Sequence, residues 1–376
     1  MTNTINKGDV FINKFVALGG AEEIGASCYY LEVDGIKLLF DCGTNKANRQ
    51  FPDFDFLLQN CVDSFKNLDA IFLSHAHEDH VGALGHLFRL KGDVPIFATK
   101  TTKELIRLQF LTYGRDNAQS SAERIFHENE IEKINECSLL TPFYINKGTD
   151  KEAEITMYPA GHCLGAAMTR IKTKNHDILY TGDFRPGEGV NEMRSLDFSP
   201  DILIMNTTKA YSPSVKKQKA IRLEKNSVIT IRDVSKFLEI LFWIKENNSE
   251  RLFVGLTQEI RNTAKVFKNL GYNVYGKGIL PMRDKEPDVI LAHKNTGFGN
   301  RKIINGDTLF SNHASFDELY NFVKQLNPQK IFLVHMGNKP GVISDYDISK
   351  KIAFDKQITG KPIKCEQNKI YVLEDK

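Results

Sequence analysis

The chain has 376 residues, enough to bury a large core and more than one average domain, so two lobes are expected. Charged residues make up 26% of it with a net charge of +3, a balance that neither demands nor excludes nucleic acid, so any basic footprint must be local. Six cysteines without a C-x-x-C pair argue against a disulfide framework or a cysteine zinc ribbon, and the lack of a signal-like start or an apolar run of roughly 20 residues points to a cytoplasmic protein without a membrane span.

Short β-rich runs come first, at Lys14 to Leu18, Cys28 to Val33, Lys37 to Phe40, Ala70 to Leu73 and Val94 to Ala98. Turn signals such as GGAEEIG and Asp34-Gly35 separate them. Val81 to Leu90 and Thr101 to Tyr113 carry helical periodicity suited to packing on a sheet. Further strands are expected at Ile155 to Pro159, Met168 to Ile171, Asp177 to Tyr180 and Ile202 to Met205. The stretch Lys209 to Lys225 holds no clear strand and reads as a crossing between lobes. After it, Val228 to Ile231, Phe237 to Trp243, Leu252 to Val254, Glu259 to Leu270, Tyr272 to Tyr275 and Val289 to Leu291 alternate strand-like and helix-like character, the pattern of a parallel βα lobe. The tail (Thr308 to Phe310, a helix over Phe316 to Leu326, strands at Lys330 to Val334 and Lys369 to Leu373) looks like more of the first lobe. An insertion is therefore expected, with residues 1–205 and 305–376 forming one lobe and 206–304 the other, in the α/β class.

Directly after the apolar run Ala70 to Leu73 comes SHAHEDH, with His75, His77, Asp79 and His80. Residues i and i+2 share a face of an extended segment, so His75 and His77 can grip one ion from the strand end. Asp79 and His80 turn onto the next helix and can grip a second. Imidazoles and carboxylates in this proportion suit zinc, with manganese or iron as alternatives. Three more turns follow strands in the same way: PAGHCLGAAM with His162, YTGDFR with Asp183 and FLVHMGN with His335. Loops on a rigid scaffold often carry function.

LGGAEEIGASCYYLEVDGIKLLFDCG, SHAHEDH, AGHCLGAAM and TGD resemble the ordered motifs of the metallo-β-lactamase fold. FSNHAS with His313 and LVHMG with His335 resemble the later histidine motifs of its β-CASP branch of nucleic-acid-processing nucleases, and VITIRDVSKFLEIL and PDVILAHKNTGFGN resemble segments of that branch's cap. The resemblance implies an αββα sandwich with an inserted β-CASP cap. It implies two zinc ions, one on His75, His77 and His162 and the other on Asp79, His80 and His335, bridged by Asp183, with Asp41 steadying the histidine loop. It further implies hydrolysis of a phosphodiester that leaves a 5′-phosphate and a 3′-hydroxyl, with Asp79 at the reacting centre and His313 holding the scissile phosphate or protonating the leaving oxygen. A histidine at the position of His335 goes in the family with RNA rather than DNA.

Two positions depart from the pattern. Asn206 stands where the family has an acid that orients the motif histidine, so Asn206 is expected beside His313, as a neutral amide. Ser235-Lys236 stands where the family has Gly-Arg. Lys216, Lys217, Lys219 and Arg222, with Arg301, Lys302 and Ser311, are candidates for phosphate contacts in a cleft between lobes. The expected function is a metal-dependent ribonuclease; the alternatives are a DNA nuclease of the same fold or a catalytically weak scaffold subunit. A thioesterase-like or lactam hydrolase is disfavoured by the cap and His313. The sequence leaves protein partners and oligomeric state open.

Overall fold

Both faces of the early strands are apolar because both are covered. In β1 (Lys14–Gly19) Phe15 and Ala17 enter one core while Val16 and Leu18 enter another, and in β2 (Cys28–Val33) Tyr29, Leu31 and Val33 alternate with Cys28 and Tyr30 in the same way. Side chains alternate along a strand, so such a strand needs a layer on each side. The computed structural model describes residues 12–45, 47–110, 121–187, 192–193, 195–210, 222–231, 233–275, 279–281, 286–293, 297–306, 309, 313–337 and 347–373.

One sheet runs in the order β19 (Ile370–Val372), β1, β2, β3 (Ile36–Phe40), β4 (Ala70–Phe72), β5 (Ile96–Thr99), β6 (Asn135–Cys137). A second runs β18 (Lys361–Lys364), β17 (Lys330–Val334), β11 (Ile202–Asn206), β10 (Asp177–Tyr180), β9 (Ala167–Lys172), β8 (Ala153–Pro159), β7 (Phe143–Ile145). Between them Phe40 meets Phe72 and Tyr180 with ring centroids 5.8 and 4.9 Å apart, and Phe15 meets Phe332 at 4.9 Å. The outer side of the first sheet is covered by α1 (Phe54–Asn60), α2 (Glu78–Val81), α3 (Leu84–Leu90), α4 (Lys100–Leu108) and α5 (Ser121–Glu132). The outer side of the second is covered by α8 (Phe316–Leu326) and α9 (Ile348–Phe354). These four layers are the αββα sandwich.

The chain leaves the second sheet at Asn206 and returns to it in β17, the hydrogen-bonded neighbour of β11, with Asn206 opposite Val334. The intervening chain forms a parallel sheet in the order β14 (Ile279–Pro281), β13 (Val254–Leu256), β15 (Val289–Ala292), β12 (Ser227–Thr230), β16 (Lys302–Asn305). Its helices α6 (Phe237–Asn247) and α7 (Gln258–Asn269) bury Phe237, Ile260 and Phe267 in the same cluster as α3 and α4, and α7 lies against α4. Among the described residues no helix is long and apolar enough to cross a membrane.

Two local expectations change, and two others lie partly outside the described residues. The single helix over Val81 to Leu90 is two, α2 and α3, jointed at Gly82, where a Cβ would lie 2.3 Å from Thr44 Oγ1. Tyr272 to Tyr275 is not a strand: it packs back on the end of α7, with the Tyr272 amide donating to the Phe267 carbonyl at 3.0 Å and Val274 buried, and the strand comes later as β14. The helix expected over Thr101 to Tyr113 is α4, and its last positions, like most of Thr308 to Phe310, lie outside the described residues.

Candidate metal centre

Strands β10, β11 and β17 are parallel and in register, Tyr180 beside Ile204 beside Phe332, so the loops after them leave from one edge of the second sheet. The hairpin from β8 to β9 opens at the same edge because β9 is antiparallel to β10. Asp183, His335 and His162 sit on these loops, and the loop after β4 brings His75 and His77 to meet them. The backbone there is strained: Asp41 and His335 hold positive φ of 58° and 54°, which side-chain-bearing residues adopt only under constraint. Gly43 lets the Asp41 loop pass so close to Asp79 that a Cβ would lie 1.7 Å from the Asp79 carbonyl oxygen.

His75 Nε2 and His162 Nε2 each lie 3.0 Å from His77 Nδ1, and 3.9 and 3.7 Å from Asp183 Oδ2. On the other side of Asp183, His80 Nε2 is 3.6 Å from Oδ2 and His335 Nε2 is 3.9 Å from Oδ1, while Asp79 Oδ2 is 3.6 Å from His335 Nε2. Two groups result, His75, His77, His162, Asp183 and Asp79, His80, Asp183, His335, each with its donor atoms within 4.8 Å of one another and with Asp183 common to both. A tetrahedral ion with bonds of about 2.0–2.1 Å sets its donors roughly 3.3 Å apart, close to these separations. His80 Nε2 and His335 Nε2 are buried without a hydrogen-bond partner, a costly arrangement unless something accepts their lone pairs or protons. The donor set therefore fits a divalent transition metal.

The opposite ring nitrogens are held by oxygens, as ligand histidines require. His75 Nδ1 meets Ser74 Oγ at 3.0 Å, His80 Nδ1 meets Asp41 Oδ2 at 2.8 Å, and His335 Nδ1 meets Ser27 Oγ at 2.8 Å. His77 Nε2 meets Ser235 Oγ at 2.8 Å and Asp233 Oδ2 at 3.0 Å, both from the inserted lobe. Asp41 is fully buried and also accepts from the Ser74 amide and hydroxyl, each at 2.7 Å, and from Tyr180 Oη at 2.5 Å. Ser27, Tyr180 and Asp233 were not singled out in the sequence, and Ser235 stood out only as a departure from the Gly-Arg pair. Asp-x-Ser before a helix reads there only as a capping signal.

Burial, and then the neighbouring imidazoles, push His75 well below the usual histidine range, and burial lowers His335 too. Burial also acts on His80, but the Asp41 and Asp183 carboxylates outweigh it and raise the group well above that range. His77 is raised in the same way, by Asp233 against burial. For Asp183 burial is overcome by His335, His313 and His80, which hold the carboxyl well below its usual range. An ionised Asp183 amid imidazoles has the charge a cation wants, and an ion would stand in for the proton on His80.

His313 joins the group, with Nδ1 3.5 Å from Asp183 Oδ2 and a ring centroid 4.7 Å from that of His162. Burial lowers it to about 4. Asn206 does not hold the His313 ring: its Nδ2 donates to Asp183 Oδ1 at 3.2 Å and its Oδ1 is buried without a partner. The last residue of β11 thus points at the shared carboxylate, which also accepts from Thr208 Oγ1 at 3.3 Å.

The basic candidates fall elsewhere. Arg222 pairs with Glu250 beyond the end of α6, at 2.7 Å. Arg301 pairs with Glu286 at 3.0 Å and Lys302 with Glu224 at 2.9 Å, near the start of β12, whose other end leads to Asp233. Lys216, Lys217, Lys219 and Ser311 lie outside the described residues. Among the described residues Lys209, Arg185 and Lys236 bring positive charge toward the centre: burial and then Arg185 and Lys236 lower the Lys209 pKa against Glu318, and Lys209 acts in turn on His313.

Residues 30–186 match the metallo-beta-lactamase superfamily domain, and residues 307–335 match the Zn-dependent metallo-hydrolase RNA specificity domain. Integrator complex subunit 11 of Danio rerio is 32% identical over 219 residues, 56% of this chain and 36% of that protein. "Probable RNase MJ4" of Methanocaldococcus jannaschii is 30% identical over 230 residues, 60% of this chain and 50% of that protein. The chain thus spans between about a third and a half of these relatives. A crystal structure of a protein of unknown function from Enterococcus faecalis V583 matches 96% of this chain and 100% of its own with TM-score 0.63 at 15% identity, a likeness of fold. The chain thus carries a metallo-beta-lactamase superfamily domain over residues 30–186 and an RNA specificity segment that ends on His335.

Proposed function

We propose that the protein is a metal-dependent ribonuclease that hydrolyses phosphodiester bonds of RNA at this centre, with residues 206–304 as its cap. The observation that carries the reading is the pair of donor groups sharing Asp183, with His313 against the same carboxylate. His75, His77 and His162 would hold one ion and Asp79, His80 and His335 the other, with zinc the best fit to these donors. Two such ions supply Lewis acidity toward phosphoryl oxygens and a nucleophilic water near neutral pH. Asp183 keeps its charge between the two groups, and Asp41 fixes Ser74 and His80 so that the histidine loop presents its donors without reorganising. His313 is 30% exposed at its side chain and faces the centre. A neutral imidazole there can donate a hydrogen bond to a phosphate oxygen, and a bound phosphate's charge would raise its pKa toward that of a proton donor for the leaving oxygen. Lys209, Arg185 and Lys236 bring positive charge to the approach, which suits a polyanion.

RNA is favoured over DNA by the match to the RNA specificity domain and by the similarity to the probable RNase of Methanocaldococcus jannaschii. The test is a time course with end-labelled RNA and DNA of matched sequence, using zinc-loaded protein, its chelated form and the His162→Ala variant. RNA cleavage that needs metal and His162 supports the reading. Equal cleavage of DNA makes the enzyme a general nuclease, and no cleavage of either by loaded protein refutes it.

A further inference from the structure

The turn that opens the inserted lobe reaches back to the metal centre. Asp233 and Ser235 lie between β12 and α6, and their Oδ2 and Oγ stand 3.0 and 2.8 Å from His77 Nε2. The other ring nitrogen, Nδ1, stands 3.0 Å from both His75 Nε2 and His162 Nε2. A neutral imidazole carries one proton. Held on Nε2 by a carboxylate, that proton leaves the Nδ1 lone pair bare toward the other two histidines.

The carboxylate is itself held in place. Asp233 Oδ1 accepts from the Ser235 amide at 3.0 Å and from the Ser235 hydroxyl at 2.5 Å, which leaves Oδ2 to the ring. The hydroxyl departs from the β-CASP pattern that the sequence resembles, where a glycine of a Gly-Arg pair occupies the place of Ser235. Capping of the 3-10 turn at Val234–Lys236 accounts for Oδ1. It does not account for Oδ2, which faces a side chain 156 positions earlier in another lobe.

We propose that Asp233 is a positioning residue for the metal centre, carried by the cap: it sets the tautomer and orientation of His77, so that docking of the cap and loading of the ion at His75, His77 and His162 support each other. The proposal rests on the metal reading of the cluster given above. Linkage makes the effect reciprocal, so an ion that binds better when the cap is docked also holds the cap down.

The test uses the full chain as wild type, Asp233→Asn and Asp233→Ala. Zinc affinity is measured by competition with a chromophoric chelator, the visible spectrum of the cobalt-substituted protein reports coordination, and hydrogen exchange over 227–247 reports cap docking. Removal of an outer partner of a ligand histidine weakens metal binding about 10- to 100-fold. Asp233→Ala is expected to lose that much at the site of His75, His77 and His162, to shift the cobalt bands, and to lose the metal-dependent protection of 227–247. Asp233→Asn keeps an acceptor oxygen without the charge and should fall between; it decides the matter if the alanine variant does not fold. Folded variants with wild-type zinc affinity and cobalt spectrum overturn this inference alone. Wild-type protein that takes up no metal overturns the metal reading as well.

Discussion

Asp41 and Asp183 are buried carboxylates that follow strands of the two different sheets, β3 and β10, and their partners separate their roles. Asp41 is saturated by Ser74, His80 and Tyr180, whereas the donors on Asp183 are Asn206 and Thr208 at 3.2 and 3.3 Å with imidazoles standing further out. Tyr180→Phe removes one short hydrogen bond to a charged, buried group, and a loss of about 1.5–3 kcal/mol is expected in urea unfolding. Asp183→Ala removes the donor common to both groups, so metal analysis should find less than one ion retained and RNA cleavage should fall further than in any single-histidine variant. At Asn206 the structure departs from the expected pairing with His313. Its amide serves Asp183 rather than His313, so Asn206→Asp would set two buried carboxylates at hydrogen-bond distance. The metal-free variant should be destabilised by about 1–3 kcal/mol at neutral pH, and zinc should recover most of that loss; unchanged unfolding curves would show that the side chain has turned away. The residues that gather at the centre were legible because they lie in short motifs after strands. Asn206 was not, because which neighbour the last residue of a strand faces depends on the register of β11 against β10 and β17, which no local pattern encodes.

At the scale of elements, the central strands were readable from apolar runs bounded by turns, since sheets covered on both faces leave that trace. Elements at the margins left less. The helix α5 buries only His127, Glu130 and Ile131 and so lacks an apolar stripe, while β18 is the four-residue edge strand KPIK and β6 a three-residue one with two exposed positions. Tyr272 to Tyr275 misled for a physical reason: aromatic residues that favour strands also suit the cover of a helix end, and here Phe267 and Tyr272 meet edge to face at 6.2 Å. The same helix ties the lobes. Phe267 is fully buried and stacks on Phe237 with centroids 5.5 Å apart, so Phe267→Ala should cost about 3–5 kcal/mol. Because α7 also lies against α4, hydrogen exchange in that variant should rise in α4 as well as in α6 and α7. A rise confined to the inserted lobe would show that the two lobes open independently.

Charge placement over the whole molecule argues for where a polyanion can lie. With a net charge of only +3, affinity for a polyanion would have to come from a local group of cations, and among the described residues Lys209, Arg185 and Lys236 form one near the centre. Arg185 and Lys236 both act on Lys209, whose pKa burial already lowers. Arg222 pairs with Glu250 past the far end of α6, an eleven-residue helix that spans about 16 Å at 1.5 Å per residue. Arg301 and Lys302 are paired at the end of the cap sheet remote from Asp233. A phosphate chain crossing the metal centre would meet the first group and miss the second. Lys209→Ala and Lys236→Ala should therefore each weaken RNA binding and lower the slope of log affinity against log salt by about 1, whereas Arg222→Ala and Arg301→Ala should leave both unchanged. Filter binding of a single-stranded RNA across a salt series, with cleavage blocked by Asp183→Ala, measures this directly. A loss of slope in the Arg222 or Arg301 variants would put the RNA path over the outer end of the cap instead.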